Sequence, residues 1–162
     1  MKLKNYMFTL LVCFVGWSIS AQQPIENTND KFLEEVFSSR MVATNEAKLA
    51  VKIGSTPAIR AYGAEMIKDQ NTLYAEIKKI ASGRNILFPK SVNYISAQGR
   101  ESLTGKKGTD FDLSYKQNTK ADLEKDITLF KQASNSNDIS VSEFANKFLP
   151  MLESHLAQVK SL

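Results

Sequence analysis

The first stretch of regular hydrophobic spacing predicts a helix that begins near Asp30 and ends at Gly54 and Ser55. Apolar and small residues recur there at steps of three and four, which places them on one face of an α-helix. The residues of that face are Phe32, Val36, Ser39, Ala43, Ala47, Ala50 and Gly54. Because the second half of the face consists of small side chains, we expect a neighbouring helix to approach it closely.

A second helix is predicted from Thr56 and Pro57 to Gly83. A hydroxyl side chain followed by proline is a typical helix start, since the hydroxyl caps a backbone N–H and proline has no N–H to satisfy. The inward positions, at alternating steps of four and three, are Ile59, Gly63, Met66, Gln70, Leu73, Ile77 and Ile80. Gln70 is the one polar residue on this face, so we expect it to point into the core.

A third helix is predicted to begin near Asp110, with Thr109 or Asp110 as its N-cap, and to end at residues 134–137. Successive Ser and Asn residues interrupt a helix because their side chains compete for backbone hydrogen bonds. The inward face is Phe111, Tyr115, Thr119, Leu123, Ile127 and Phe130. Two pairs of acids lie four residues apart, Glu65 and Asp69 on the second helix and Asp122 and Asp126 here. Lysines flank both pairs, so we expect all four acids to be solvated.

A fourth helix is predicted from Ser140 onwards. Ser140 and Glu143 have the spacing of a capping box, which predicts the start of the helix. The inward face is Phe144, Phe148, Leu152, His155 and Val159. Pro150 lies well inside this segment and predicts a kink, because proline cannot donate to the carbonyl of Asn146.

A long connection, residues 84–109, separates the second helix from the third. Its pattern predicts a short helix over residues 92–103 and a turn between Gly105 and Gly108. A helix of about 25 residues is about 37 Å long, and a connection of this length can cross that distance. The sequence therefore predicts an all-α fold, a ferritin-like antiparallel four-helix bundle formed by residues 30–162.

The N-terminal residues are typical of an export signal. Lys2 and Lys4 precede an apolar stretch over residues 7–19, and small residues follow up to Ala21. We predict a signal peptide over residues 1–21, cleaved after Ala21, and a polar segment over residues 22–29. The expected location is the periplasm or the cell envelope, with a retained leader as the alternative.

The composition excludes several classes of chemistry. One Cys and one His in 162 residues exclude a disulfide framework and a multi-cysteine zinc site. A di-iron site of the ferritin type needs two Glu-x-x-His motifs, which a single His cannot supply. Cys13 belongs to the leader, and Ser154 cannot be aimed at the adjacent His155 on a helix, so no nucleophile has a base. We therefore predict a protein without enzymatic activity and without a cofactor.

The charge of the chain does not favour nucleic acid as a partner. The net charge is +4, and cleavage of the leader would lower it by two because Lys2 and Lys4 would be lost. The remaining lysines are spread along helices among acids, without interleaved aromatic residues.

The inward polar residues are the candidates for a functional site. We expect Gln70 and His155 to form a buried polar contact, with Asn118 or Thr119 nearby, because a single His on an apolar stripe is usually a hydrogen-bonded core residue. Such a contact would fix the register of the bundle. The weaker alternative is a mononuclear metal site in which His155 combines with carboxylates, drawn from Glu65, Asp69 and Glu46.

Several motifs resemble a known family. They are TPAIRAYGAEMIKD at residues 56–69, FDxxY at 111–115, LF at 129–130, and FA, LP and HL in order within 144–156. Together these motifs are similar to the domain of unknown function 4142, over about residues 30–162. The resemblance implies an exported, ferritin-like protein, of a kind often labelled as an outer-membrane protein.

The chain departs from that family at two positions. The family usually has His where this chain has Gln70 and Leu123, whereas the His of the fourth helix is kept as His155. A metal or redox role that depends on the other two histidines is therefore not implied here.

Two hypotheses for function follow from the sequence. The first is an exported, non-enzymatic bundle with a binding, structural or stress-related role in the envelope, whose partner is an envelope component or a small ligand. The second is a metal-binding or redox-protective protein with a degenerate site around His155. The apolar residues 86–88 and a retained leader would also allow peripheral attachment to a membrane.

Overall fold

The computed structural model describes residues 28–84, 86–88 and 102–162. This part of the chain contains four helices: α1 (Thr28–Ile53), α2 (Pro57–Ala81), α3 (Gly108–Ala133) and α4 (Ile139–Ser161). The predicted all-α four-helix bundle is confirmed. The predicted leader lies outside the described residues, as does most of the short helix predicted over 92–103, whose last two residues are not helical.

The contacts at the two ends of the bundle define its topology. At one end, the backbone N–H of Ser55 in the α1–α2 turn donates to Asp112 near the start of α3 at 3.0 Å. At the other end, Arg84 follows α2 and donates to Asp30 at the start of α1 (2.9 Å) and to Asp138 before α4 (2.6 Å). Helices α2 and α3 therefore run in the same direction, and the connection between them joins opposite ends of the bundle, as the predicted crossover requires.

The small residues of α1 let α2 approach closely, as predicted. Gly63 on α2 faces α1, and a Cβ atom at this position would lie 2.8 Å from the carbonyl oxygen of Ala47 and 3.1 Å from the Cβ of Ala50. Real Cβ atoms essentially never lie as close as 2.8 Å to a backbone oxygen, so any larger residue at Gly63 would push the two helices apart.

The start of α2 matches the prediction, whereas the start of α4 does not. Thr56 caps α2, and its hydroxyl accepts from the backbone N–H of Ile59 at 3.2 Å. The predicted capping box at Ser140 is wrong, because Asp138 is the N-cap of α4 and its Oδ1 accepts from the backbone N–H groups of Ser140 and Val141. The Ser140 hydroxyl and the Arg84 guanidinium hold the pKa of Asp138 below its usual value. A carboxylate two residues upstream thus takes the place of the predicted hydroxyl cap.

The start of α3 also differs from the sequence prediction. The helix begins at Gly108, with Lys107 at the N-cap position and no side-chain capping bond. Asp110, which was expected at the cap, lies in the first turn, where a negative charge is favourable near the positive end of the helix dipole.

The proline of α4 does not end that helix. Pro150 is exposed, and the helix continues on both sides of it.

A buried ion pair connects α1 and α3 at the centre of the bundle. The guanidinium of Arg40 contacts the carboxylate of Asp126, and the two residues are 0% and 1% exposed. The Ser39 hydroxyl also donates to Asp126 Oδ2 at 3.3 Å. The expectation that Asp126 is solvated is therefore wrong: burial raises the pKa of its carboxyl group, while the Arg40 charge acts in the opposite direction.

Replacing Arg40 with leucine should destabilise the protein by about 3–5 kcal/mol, because Asp126 would keep a buried charge without its counter-ion. The double variant Arg40→Met/Asp126→Leu should recover most of that loss, since it removes both charges. Urea unfolding followed by circular dichroism measures both effects.

The exposed pair Lys125–Glu35, with an N···O distance of 2.7 Å, provides the control. Lys125→Ala should cost less than about 1 kcal/mol, as is usual for solvated ion pairs. Equal losses for Arg40→Leu and Lys125→Ala would show that the buried pair has no special role.

Candidate functional site

Three potential metal ligands meet where α2 faces α4. Glu65 and Asp69 are four residues apart on α2, so both side chains project from the same side of that helix. His155 projects towards them from α4, and one ligand atom of each residue lies within 4.8 Å of the other two. Among the described residues, these three form the group of His, Cys, Asp or Glu side chains that could hold a metal ion.

The three residues differ strongly in burial. His155 is 1% exposed, Asp69 is half-buried and Glu65 is exposed. The group therefore runs from the core to the surface, with the imidazole at the inner end and the Glu65 carboxylate at the outer end.

The imidazole of His155 is held in place from two sides. Its Nε2 lies 3.0 Å from Oδ2 of Asp69. Tyr62 donates its hydroxyl to the backbone carbonyl of His155 at 3.2 Å, and its ring meets the imidazole edge-on, with 5.9 Å between centroids. Burial raises the pKa of Tyr62, which keeps the phenol protonated as the donor. These contacts fix the depth and the orientation of the imidazole.

A second residue of α4 belongs to the same group. Gln158, three residues after His155, donates from Nε2 to Oε1 of Glu65 at 3.1 Å. Its own Oε1 is shielded from solvent and has no hydrogen-bond partner among the described residues. Gln158 therefore adds a second contact between α2 and α4 beside the three potential ligands.

The donor set suits a divalent transition-metal ion. An imidazole nitrogen and carboxylate oxygens are ligands that Zn²⁺, Cu²⁺ and related ions accept. The carboxylates of Glu65 and Asp69 carry two negative charges when ionised, which matches the charge of such an ion. The exposed side at Glu65 leaves room for water or another ligand to complete the coordination.

The structure brings together the residues of the weaker sequence alternative, His155, Glu65 and Asp69, with one exception. Glu46, also considered as a carboxylate ligand, is buried on α1, and its Oε1 accepts from Asn118 on α3 at 3.5 Å. Glu46 therefore takes part in a different polar contact inside the bundle.

The expected hydrogen bond between Gln70 and His155 is not formed. Gln70 is fully buried, as predicted, but neither atom of its amide has a hydrogen-bond partner among the described residues. His155 contacts Asp69 instead, one position earlier on α2. A carboxylate is a stronger acceptor than a neutral amide and can be reached at the edge of the bundle.

The other two members of the predicted polar cluster are buried on α3. Asn118 is 4% exposed and Thr119 is 6% exposed. Asn118 contacts Glu46, so the inward polar residues divide into more than one group.

Two important residues were missed by the sequence reasoning. Gln158 carries no charge and lies beside the apolar stripe, but its spacing of three from His155 could have placed it at the same site. Arg40 lies one position after Ser39 of the predicted inward face, and a single arginine in that place gave no signal of burial.

Comparisons with known proteins agree with the fold. The sequence model of the family described as "Domain of unknown function (DUF4142)" matches residues 18–162. No curated protein matches the chain. None of the four helices described by the structure combines the length and the apolar character needed to cross a membrane.

Solved structures of CopM have the same fold. The Cu(I)-bound form has a TM-score of 0.68 and 14% identity, and the match covers 84% of this chain and 95% of that one. The Ag-bound and Cu(II)-bound forms have TM-scores of 0.67 and 0.66 at 13% identity, each covering 82% of this chain and 93% of that one. At these identities the similarity shows the fold alone.

Replacing Gln70 with methionine should stabilise the protein by about 1–2 kcal/mol. The amide is buried without a hydrogen bond, and an apolar side chain of similar size removes that desolvation cost. Thermal and urea unfolding measure the change, with the exposed Gln117→Met as the matched control. A clear loss of stability in Gln70→Met alone would show that the amide makes a hydrogen bond that matters.

Proposed function

The chain belongs to the DUF4142 family, and we propose that it is an exported helical bundle that binds a divalent transition-metal ion through Glu65, Asp69 and His155. The observation that carries the proposal is the meeting of one imidazole and two carboxylates from facing helices within 4.8 Å. A histidine that served only the core would not need the exposed Glu65 carboxylate within reach of its ring as well as Asp69.

The positions of the donors support reversible binding. Ligand atoms lie about 2.0–2.2 Å from a zinc ion, so two donors of one ion are at most about 4.4 Å apart. The three donor atoms here lie within 4.8 Å of one another, so a small side-chain movement brings them to bonding distance. Tyr62 and the surrounding core hold His155 in place, whereas Glu65 is exposed and can adjust its side chain. An ion would replace the hydrogen bond between His155 and Asp69 with bonds to both residues.

The solved neighbours add independent support. CopM, which has the same fold, was crystallised with Cu(I), Ag and Cu(II). For this chain we infer the kind of ion from the donor atoms. Sites with nitrogen and oxygen donors bind Cu²⁺ more tightly than Zn²⁺ in the usual order of affinities of divalent ions.

We propose that the site binds and sequesters an ion, and that the protein is not an enzyme. On this proposal the single histidine of the chain serves as a ligand, and it lies on α4 in contact with Tyr62 of α2. This proposal combines the two functions expected from the sequence, a non-enzymatic bundle with a binding role in the envelope and a metal site around His155. A purely structural role for the bundle is the outcome that remains if no ion binds.

The purified protein, prepared without a histidine tag, should bind one Cu²⁺ or Zn²⁺ ion per chain. At a free ion concentration of one hundred times Kd, binding should stabilise the protein by about 2.7 kcal/mol. Isothermal titration calorimetry and thermal unfolding measure the two quantities.

Variants of the ligands test the location of the ion. His155→Asn and Asp69→Asn should weaken binding more than the roughly ten- to a hundredfold typical of residues that only support ligands. Glu34→Gln, an exposed acid on α1, is the matched control and should bind normally. Unchanged affinity in His155→Asn, or no stoichiometric binding to the unmodified protein, would exclude the proposed site.

Export is supported by the basic residues and the apolar stretch of the leader. The intact mass of the protein recovered from the envelope fraction should correspond to a chain that begins at Gln22. A full-length mass in a cytoplasmic fraction would contradict export without affecting the metal proposal.

A further inference from the structure

Gln158 has two polar atoms in different situations at the α2–α4 site. Its Nε2 donates to Oε1 of Glu65 at 3.1 Å and so orients one of the carboxylates. Its Oε1 is shielded from solvent and accepts no hydrogen bond from the described residues. The nitrogen of the amide therefore has a hydrogen-bond partner, and the oxygen does not.

An unused, buried carbonyl oxygen has an energetic cost. Leaving a buried acceptor without a donor costs about 1–3 kcal/mol, so such atoms usually mark a place where a water molecule or an ion belongs. Amide oxygens are established ligands of hard cations and hold metal-bound water in many sites.

The spacing along the two helices gives a consistent four-residue arrangement. Glu65 and Asp69 are related by i, i+4 on α2, and His155 and Gln158 are related by i, i+3 on α4. Both spacings place the two side chains of a pair on one side of their helix. The contacts His155–Asp69 and Gln158–Glu65 then join the helices in two adjacent layers.

We infer that Gln158 completes the site as its fourth residue, with Oε1 facing the bound cation or the water bound to it, and that the resulting site takes divalent in preference to monovalent ions. This inference rests on the proposed function. The donor set becomes one nitrogen and three oxygens, which suits Zn²⁺, Co²⁺ and Cu²⁺ and fits poorly with soft ions such as Ag⁺ that favour sulfur.

The charge balance points in the same direction. Two ionised carboxylates with a neutral imidazole and a neutral amide compensate a divalent ion, whereas a monovalent ion would leave one negative charge. A neutral fourth donor is thus distinct from a third carboxylate, which would make the occupied site negative.

The test compares three substitutions at one position with Co²⁺ as a spectroscopic probe and Zn²⁺ and Ag⁺ in calorimetry. Gln158→Leu has a similar size and no donor, and it should weaken Co²⁺ and Zn²⁺ binding about ten- to a hundredfold while changing the visible spectrum of bound Co²⁺. Gln158→Glu should keep divalent binding. Gln158→Met should shift the ratio of Ag⁺ to Zn²⁺ affinity towards Ag⁺.

Gln117→Leu on the exposed surface of α3 is the matched control, and circular dichroism confirms that each variant is folded. If Gln158→Leu binds Co²⁺ with unchanged affinity and spectrum while His155→Asn loses binding, Gln158 has no role and the three-residue site stands. If His155→Asn also binds normally, both proposals fail. Preference of the unmodified protein for Ag⁺ over Zn²⁺ would overturn the inferred selectivity.

Discussion

The buried pair of Arg40 and Asp126 sets the register on which the rest of the bundle depends. Two charges inside a protein are tolerated only when they face each other, so α1 cannot slide along α3 without separating them. Because α1 packs on α2 and α3 packs on α4, this contact also determines which turn of α2 faces which turn of α4. The juxtaposition of Asp69 with His155 is a consequence of that alignment.

Much of the fold could be predicted because helical periodicity is a local property. The four apolar faces, the Thr56 cap and the crossover connection depend on spacing and length, and all of them agree with the structure. The predicted start of α4 was wrong because Asp138 and Ser140 are both good caps, and both also contact Arg84, which is distant in sequence. Such competition between neighbouring polar residues is decided by tertiary contacts.

The candidate site shows the limit of sequence reasoning more clearly. Periodicity correctly placed Gln70 and His155 inside, but the contact partner of His155 depends on a rotation of about one residue around α2, which a sequence does not specify. The acids at Glu65 and Asp69 were identified as a group because of their spacing. Gln158 has no charge, so only its spacing of three from His155 indicated its place, and its contact with Glu65 appears only in the structure.

The order of the helices has a consequence for folding. The short turns make α1–α2 and α3–α4 two helical hairpins with mostly local contacts, which form quickly, whereas their docking depends on contacts between residues far apart in the chain. Glu65 and Asp69 belong to one hairpin and His155 to the other, so neither hairpin alone contains the candidate site. An ion bound there would join the two hairpins and would chiefly slow their separation.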